Sequence, residues 1–280
     1  MVKSQAKADY DTVISEHYRK VAESDGLSSS STMADNITRS TETEAIKEFV
    51  AAALERRMQA GDTGPATIMD VGCGNGYTLE ILSEQFPDHE FLGVEKTDEL
   101  RTLAITRFES NASVDIIEGD IRDSNLSQGR YADILICQRV VINLLDPSDQ
   151  RDALRNIKET VKVGGAMLFV ECFESSLSRL NEARSEFELE AIPSAYHNLY
   201  LEDGFFDVDG VSPHSLSSYG FDQPSNFLST HFYVTRVLHP MMTKGQPVKR
   251  NSEFVNFFSS ALRPASGDYA PLKLVVLDRI

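Results

Sequence analysis

Apolar positions along the chain change period repeatedly. Residues 9–24 read as a short helix, and TETEAIKEFVAAALERRM (41–58) as a longer one. In the second, Ala45, Phe49 and Ala52 or Ala53 share a face and Arg56 falls on the wet side. Its start is expected at a cap near Ser40 or Thr41, ahead of an acidic first turn, and Gly61–Pro65 breaks it. A polar loop around Ser28–Thr32 separates the two. Beyond residue 66, short apolar runs alternate with amphipathic ones. Strands are predicted at 67–72, 90–95, 114–120, 132–141 and 166–171, and helices at 77–86, 98–110 and 146–162. The last helix carries an Asp146 cap, Pro147 in its first turn and a Gly164-Gly165 stop.

Strands alternating with helices of this length imply right-handed crossovers and an α/β fold, a parallel sheet with helices on both faces. After residue 172 the pattern changes. A helix over 176–190 precedes a Pro- and aromatic-containing loop at 192–207, and two late strands are expected at 228–240 and 272–280 as an antiparallel hairpin on the sheet edge. No internal repeat interrupts the chain, which reads as a single elaborated domain.

Composition narrows the function. The 280 residues are 41% hydrophobic and 25% charged, ordinary for a soluble globular protein. No apolar run is long enough for a membrane-spanning helix, and MVKSQAKADYDTV does not look like a signal peptide. Cys73, Cys137 and Cys172 lie in apolar runs and read as reduced thiols, so a cytoplasmic protein is expected. With 27 basic and 43 acidic side chains the net charge is −16. Basic runs stop at pairs such as Arg56-Arg57 and Lys249-Arg250, which disfavours nucleic acid as a partner.

The chemistry concentrates where the first strand turns into its helix, at Asp70-Val71-Gly72-Cys73-Gly74-Asn75-Gly76. Ligands of open α/β sheets bind beyond the carboxyl ends of the strands, and glycines there let backbone approach them. The spacing is G-x-G-x-G rather than the G-x-G-x-x-G of dinucleotide sites. Glu95, followed by Lys96, ends the second strand, where an acid accepts hydrogen bonds from both hydroxyls of a ribose. Asp120 ends the third strand, where a carboxylate can take an exocyclic adenine amine while Ile121 packs on the base.

On these residues, with Gly119, the fourth-strand segment Asp133–Val140 and Lys162–Gly165, the chain resembles the class I S-adenosylmethionine-dependent methyltransferases over about 67–171. The resemblance implies a seven-stranded Rossmann-like sheet, mostly parallel with an antiparallel late strand, and 228–240 and 272–280 as strands six and seven. It also implies S-adenosyl-L-methionine as cofactor and no metal. Asp70, Gly72, Cys73, Gly74 and Gly76 would line its methionine and ribose, Glu95 would hold the ribose, Asp120 and Ile121 would contact the adenine, and Lys96 is a further cofactor-binding candidate. Gln138 would lie near the transferred methyl. Arg39 would meet the cofactor's carboxylate, and Tyr18 would close over the methyl. An Asn/Asp-Pro-Pro-aromatic tetrapeptide is absent, and Gln138–Leu144 stands in its place, which argues against DNA base methylation.

On this reading residues 1–60 are a helical cap or lid, 61–171 the cofactor-binding core, 172–227 a substrate-covering insertion and 228–280 a late-strand hairpin. The expected reaction is metal-independent transfer to an O or N atom of a small molecule by a monomer or homodimer without membrane contact. Alternatives are a protein or RNA methyltransferase, an NAD-type oxidoreductase, or a non-catalytic binding protein. Glu171 either orients the acceptor or serves as base. His197, in the cluster Tyr196–Tyr200, is the preferred base because an imidazole titrates near neutrality. Arg139, Asn143, Asn198 and Tyr200 are candidate acceptor contacts. So are Asn181 and Arg184, three apart on one helix face. His231 and His239, eight apart on the expected strand, are too distant to chelate one ion. The aromatics Phe205, Phe206, Tyr219, Phe221, Phe227, Phe232 and Tyr233 either line an apolar pocket or form the core of the late strands.

Overall fold

The computed structural model describes residues 2–28, 35–221, 223–243, 246, 252–262 and 265–280. A seven-stranded sheet runs through it in the order β3-β2-β1-β4-β5-β7-β6. The strands are β1 (Thr67–Val71), β2 (Glu90–Glu95), β3 (Val114–Glu118), β4 (Ala132–Gln138), β5 (Val161–Cys172), β6 (Val211–His214) and β7 (Leu272–Arg279). The first five pair in parallel, and β7 lies antiparallel between β5 and β6.

Alternation along the strands divides the core in two. Ile68, Ile134, Ile136, Leu168, Val170, Leu274 and Val276 face one way, packing beneath α2 (Asn36–Gln59) and α3 (Tyr77–Gln85). Met69, Val71, Leu135, Cys137, Met167, Phe169 and Leu277 face the other, beneath α5 (Pro147–Glu159). Phe49 of α2 is fully buried and stacks on Tyr219 with ring centroids 5.6 Å apart. Burial of such a ring stabilises the fold by roughly 1.5–3 kcal/mol.

Several expectations change. The N-terminal helix α1 spans Val2–Asp25, and the polar loop after it falls partly at 29–34, outside the described residues. Helix α2 starts a turn early because Asp35, rather than Ser40 or Thr41, caps it by accepting the Thr38 N–H at 3.1 Å. That extra turn carries Arg39 into a buried position. Strand β4 stops at Gln138, since Arg139 takes a left-handed φ of 57°. Helix α4 (Asp98–Arg107) covers the β2–β3 edge, and α6 (Glu174–Ser185) ends five residues before the predicted limit.

The largest difference is at 228–240. This segment is helical, as α7 (Ser229–Tyr233), a π turn (Val234–Leu238) and α8 (His239–Thr243), and no part of it joins the sheet. Its β-branched and aromatic residues read as a strand, yet His231, Val234 and Thr235 are buried at helical i, i+3, i+4 spacing. The sheet edge is taken instead by the four residues of β6, which pair with β7. Phe206, Tyr219, Phe221 and Phe227 are core side chains, though there is no late strand at 228–240 for them to pack on, and Phe232 of the same set lines the cavity. Helix α9 (Glu253–Ala261) packs on α7.

Candidate active site

A cavity of about 720 Å³ opens at the carboxyl ends of β1, β2 and β4 and is covered by α1. Its first half is built largely from backbone. The three glycines of the first turn all have left-handed φ, but they do different work. A Cβ on Gly72 would come within 2.3 Å of Val140, so this glycine lets the turn pack against the segment after β4. A Cβ on Gly76 would strike Phe108 at 2.7 Å. On Gly74 it would meet nothing within 4 Å, and Gly74 lines the cavity.

Glu95 is buried at the end of β2. Its Oε2 accepts the Gly74 N–H at 2.9 Å and its Oε1 the Thr97 N–H at 2.7 Å. Burial pushes its pKa up, and those backbone bonds oppose the shift. Asp70, on the same wall, is driven to about 7 by burial and then by the Glu95 charge, with Arg39 opposing. Arg39 lies 5.4 Å from the Tyr77 ring centroid and is lowered to about 10, first by burial and then by the charge of Arg139. Asn75 fastens the turn to the end of α1, donating to the Gly26 and Ser28 carbonyls at 2.9 and 3.1 Å.

Asp120 and Ile121 line the far end. Burial opposes ionisation of Asp120, but hydrogen bonds from Arg122 outweigh it and hold the carboxyl far below its usual range. Lys96 approaches Asp120 at 3.1 Å. Asp11 of α1 completes the cluster, 2.9 Å from Arg122 and 3.3 Å from Lys96.

The second half draws on distant segments. Tyr18 of α1 accepts a hydrogen bond from Asn143 Nδ2 at 2.9 Å, and Asn198 Nδ2 donates to Asn143 Oδ1 at 2.8 Å. Burial pushes the Tyr18 phenol up to about 12, opposed chiefly by Arg139. His197 stacks on His17 with centroids 3.8 Å apart, and its buried Nδ1 has no hydrogen-bond partner among the described residues. Burial, then the charge of His17, lowers it to about 4. Gln138, Arg139, Tyr200, Arg236 and Phe232 also line this half. The amide nitrogen of Gln138 is likewise buried without a hydrogen-bond partner among the described residues.

Three sequence expectations fail here. Glu171 does not reach the cavity: it is fully buried and accepts backbone N–H bonds from Val140 and Val141 at 3.0 and 2.9 Å and from Ile142 at 3.5 Å. Burial pushes it to about 7 against those bonds. It therefore clasps the segment after β4 rather than meeting an acceptor. Asn181 bonds both ways with the backbone of Ile192, at 2.8 and 2.9 Å, and Arg184 bonds the carbonyls of Glu190 and Arg236. Neither lines the cavity: both hold the 190–192 loop, and Arg184 also ties α6 to the π turn. His231 sits on a helix between Asp35 at 3.0 Å and Ser259 at 2.7 Å, all three buried.

Sequence reasoning missed Asp11, His17, Glu42, Arg122 and Arg236. Glu42 alone carried a signal, lying three residues after Arg39 on one helix face.

Residues 68–165 match the methyltransferase domain family. Over those residues the chain is similar to a methyltransferase domain, in line with the resemblance to the class I S-adenosylmethionine-dependent enzymes read from its motifs. A trans-aconitate 2-methyltransferase from Acidovorax sp. (strain JS42) is 29% identical over 76 residues, 27% of this chain and 28% of that protein. A malonyl-[acyl-carrier protein] O-methyltransferase from Paenibacillus sp. (strain JDR-2) is 23% identical over 141 residues, half of each chain. The chain thus spans under a third to about half the length of these curated relatives. An O-methyltransferase family protein from Burkholderia thailandensis shares the fold, with a TM-score of 0.50 and 12% identity over 88% of this chain and 57% of that one.

The residues of the methyltransferase domain fit S-adenosylmethionine. Gly74 leaves open space at the turn, and the buried Glu95 carboxylate retains acceptor capacity beyond its two backbone bonds. Among the described residues no helix is long and apolar enough to cross a membrane.

Proposed function

We propose that this protein transfers a methyl group from S-adenosylmethionine to an O or N atom of a small molecule. Asp70 and the Gly72–Gly76 turn would hold the methionine and ribose portion, Arg39 its carboxylate, Glu95 the ribose hydroxyls, and Asp120 with Ile121 the adenine. S-adenosylmethionine brings a methyl carbon that is already electrophilic on its sulfonium. The chain's own task is to align a nucleophile and exclude water, an effect that reaches roughly 7–11 kcal/mol in the best cases.

One observation carries the small-molecule reading: the second half of the cavity is roofed from two sides. His17 and Tyr18 of α1 approach from one side and Ala195, His197 and Asn198 from the other. The Tyr18–Asn143–Asn198 chain of hydrogen bonds joins the roof to the segment after β4. Such a chamber suits a compact acceptor better than a polymer. Its ionisable groups also bear on the chemistry. His197 is neutral at pH 7 and a weak base, and Tyr18 keeps its proton. The chamber therefore favours acceptors that arrive as neutral amines or as anions over those needing a strong base.

The test is a transfer assay with methyl-labelled S-adenosylmethionine and a fractionated cell extract. Label entering the low-mass fraction supports the reading. Label confined to protein or RNA overturns it.

A further inference from the structure

We propose that Tyr18 positions the methyl acceptor by donating its hydroxyl proton to the acceptor's reacting oxygen, so that the substrate is methylated as an oxyanion. The inference rests on the methyl-transfer reading above and decides between its O and N alternatives.

The hydrogen-bond chain behind Tyr18 runs in one direction. Asn198 Nδ2 donates to the His197 carbonyl at 3.1 Å and to Asn143 Oδ1 at 2.8 Å. Asn143 Nδ2 donates to the Arg139 carbonyl at 3.0 Å and to the Tyr18 oxygen at 2.9 Å. In both amides the nitrogen faces a backbone carbonyl, which only an N–H can bond. Neither amide can turn over without setting oxygen against oxygen. Tyr18 must therefore accept from Asn143, and its one proton is left over. The phenol makes no other hydrogen bond among the described residues, and it lines the acceptor half of the cavity. Burial holds its pKa at about 12, so the proton stays in place through neutral pH.

A donor without an acceptor calls for a lone pair on the ligand. The carboxylates that would draw an ammonium instead are engaged. Glu171 accepts the Val140 and Val141 N–H groups, Asp35 accepts the Thr38 N–H and pairs with His231 at 3.0 Å, and Asp11 pairs with Arg122 and Lys96. A neutral amine has a single lone pair; accepting the Tyr18 proton spends it and leaves nothing to attack the methyl carbon. An oxyanion has several, so one takes a charge-assisted hydrogen bond from Tyr18 and another attacks. The acceptor gives its proton to water, before or on binding. Its oxygen lone pair then forms the O–CH3 bond as the S–CH3 pair passes to sulfur, and Tyr18 keeps its proton throughout. No strong base is required, in keeping with the weakly basic His197.

The test starts from the low-mass product that a cell extract yields with methyl-labelled S-adenosylmethionine. Alkali should release the label as methanol if the acceptor was a carboxylate, and hydriodic acid should release it as methyl iodide if it was a phenol or enol. Label that resists both is not on oxygen and overturns the proposal. Tyr18→Phe, which keeps the ring, should slow transfer to that acceptor on the order of tenfold or more, the scale of a hydrogen bond to a charged group. Its affinity for S-adenosylhomocysteine in calorimetry should stay within a few-fold of wild type. Asn143→Asp reverses the chain by offering Tyr18 an acceptor. It should cost a comparable factor alone and little when added to Tyr18→Phe, whereas a merely structural loss would multiply. If Tyr18→Phe leaves the rate unchanged, or the two losses multiply, the donor role is wrong while the methyl-transfer reading stands. Absence of any labelled low-mass product strikes that reading and this proposal with it.

Discussion

The two halves of the cavity are built on opposite principles. The half proposed for the cofactor lies at three successive strand ends and one glycine turn, and its carboxylates are fixed by groups close to them in the same units. Glu95 is held by two N–H groups within that same unit, and Asp120 by its neighbour Arg122. The acceptor half joins α1, α2, the segment after β4 and residues 195–200, and two fully buried carboxylates, Glu42 and Glu171, hold its central segment from behind. A half made of local backbone tolerates changes in remote packing. A half made of distant side chains depends on each support. Mutations should therefore separate the two.

The largest effect is expected at Gly74. A valine there enters the open space beside Gly74 and must adopt a left-handed φ. Gly74→Val should weaken S-adenosylhomocysteine binding by on the order of a hundredfold, about 2.8 kcal/mol. Calorimetry checks it, with circular dichroism to confirm folding. Binding within a few-fold of wild type would mean that the turn is only a turn.

Glu171→Gln should break the other half. The amide keeps one acceptor oxygen and turns an NH2 donor toward the buried backbone N–H groups that the carboxyl accepts, so a loss of about 2–3 kcal/mol of stability is expected in urea unfolding. Acceptor turnover should fall while S-adenosylhomocysteine affinity stays close to wild type. Equal damage to both ligands would show that the halves are not independent.

The same contrast governs what the sequence disclosed. That Asp70, Gly74, Glu95 and Asp120 would lie around one cavity was legible because a strand end is a position in a pattern, and the pattern was strong. The parallel strands were legible for the same reason. Segment 228–240 was not, because Val234, Thr235 and Val237 favour strands locally, while tertiary burial of His231, Val234 and Thr235 selects a helix. Asn181 and Arg184 formed a credible surface pair, yet both turn back to backbone carbonyls. Glu171 was placed on the right strand end but given the wrong neighbour. Only the three-dimensional path after Gln138 shows that its carboxylate meets N–H groups before any ligand. His17, Asp11 and Glu42 belong to helices whose docking no local pattern encodes.

A smaller effect should come from pH, and it reports on the cofactor half alone. Asp70 holds its proton up to about 7 because burial and Glu95 disfavour the charge. The folded protein binds that proton more tightly than the unfolded chain, so this group makes stability fall as pH rises from the usual carboxylate range to about 7. A cationic ligand beside Asp70 favours the ionised form. Affinity for S-adenosylmethionine should thus rise with pH up to about 7, by at most tenfold per unit, or ~1.4 kcal/mol. S-adenosylhomocysteine lacks the sulfonium charge and should show a shallower slope. Asp70→Asn should flatten the difference, and equal slopes for both ligands in wild type would remove Asp70 from the site.

The smallest effect tests the seam between the halves. Asp11 ties α1, which carries Tyr18 and His17, to Lys96 and Arg122 at the adenine end. Arg122 and Lys96 hold the Asp11 carboxyl below its usual range against the cost of burial, so the link persists through neutral pH. Yet the side chain is 36% exposed and the pairs face water, which limits their worth to well under about 1 kcal/mol. Asp11→Asn should therefore weaken S-adenosylhomocysteine by roughly two- to threefold at low salt, and the difference should shrink as ionic strength rises. Acceptor binding should fall in the same proportion, because α1 roofs both halves. A loss confined to one ligand would mean that α1 serves that half only, and a loss insensitive to salt would mean that Asp11 acts through packing rather than charge.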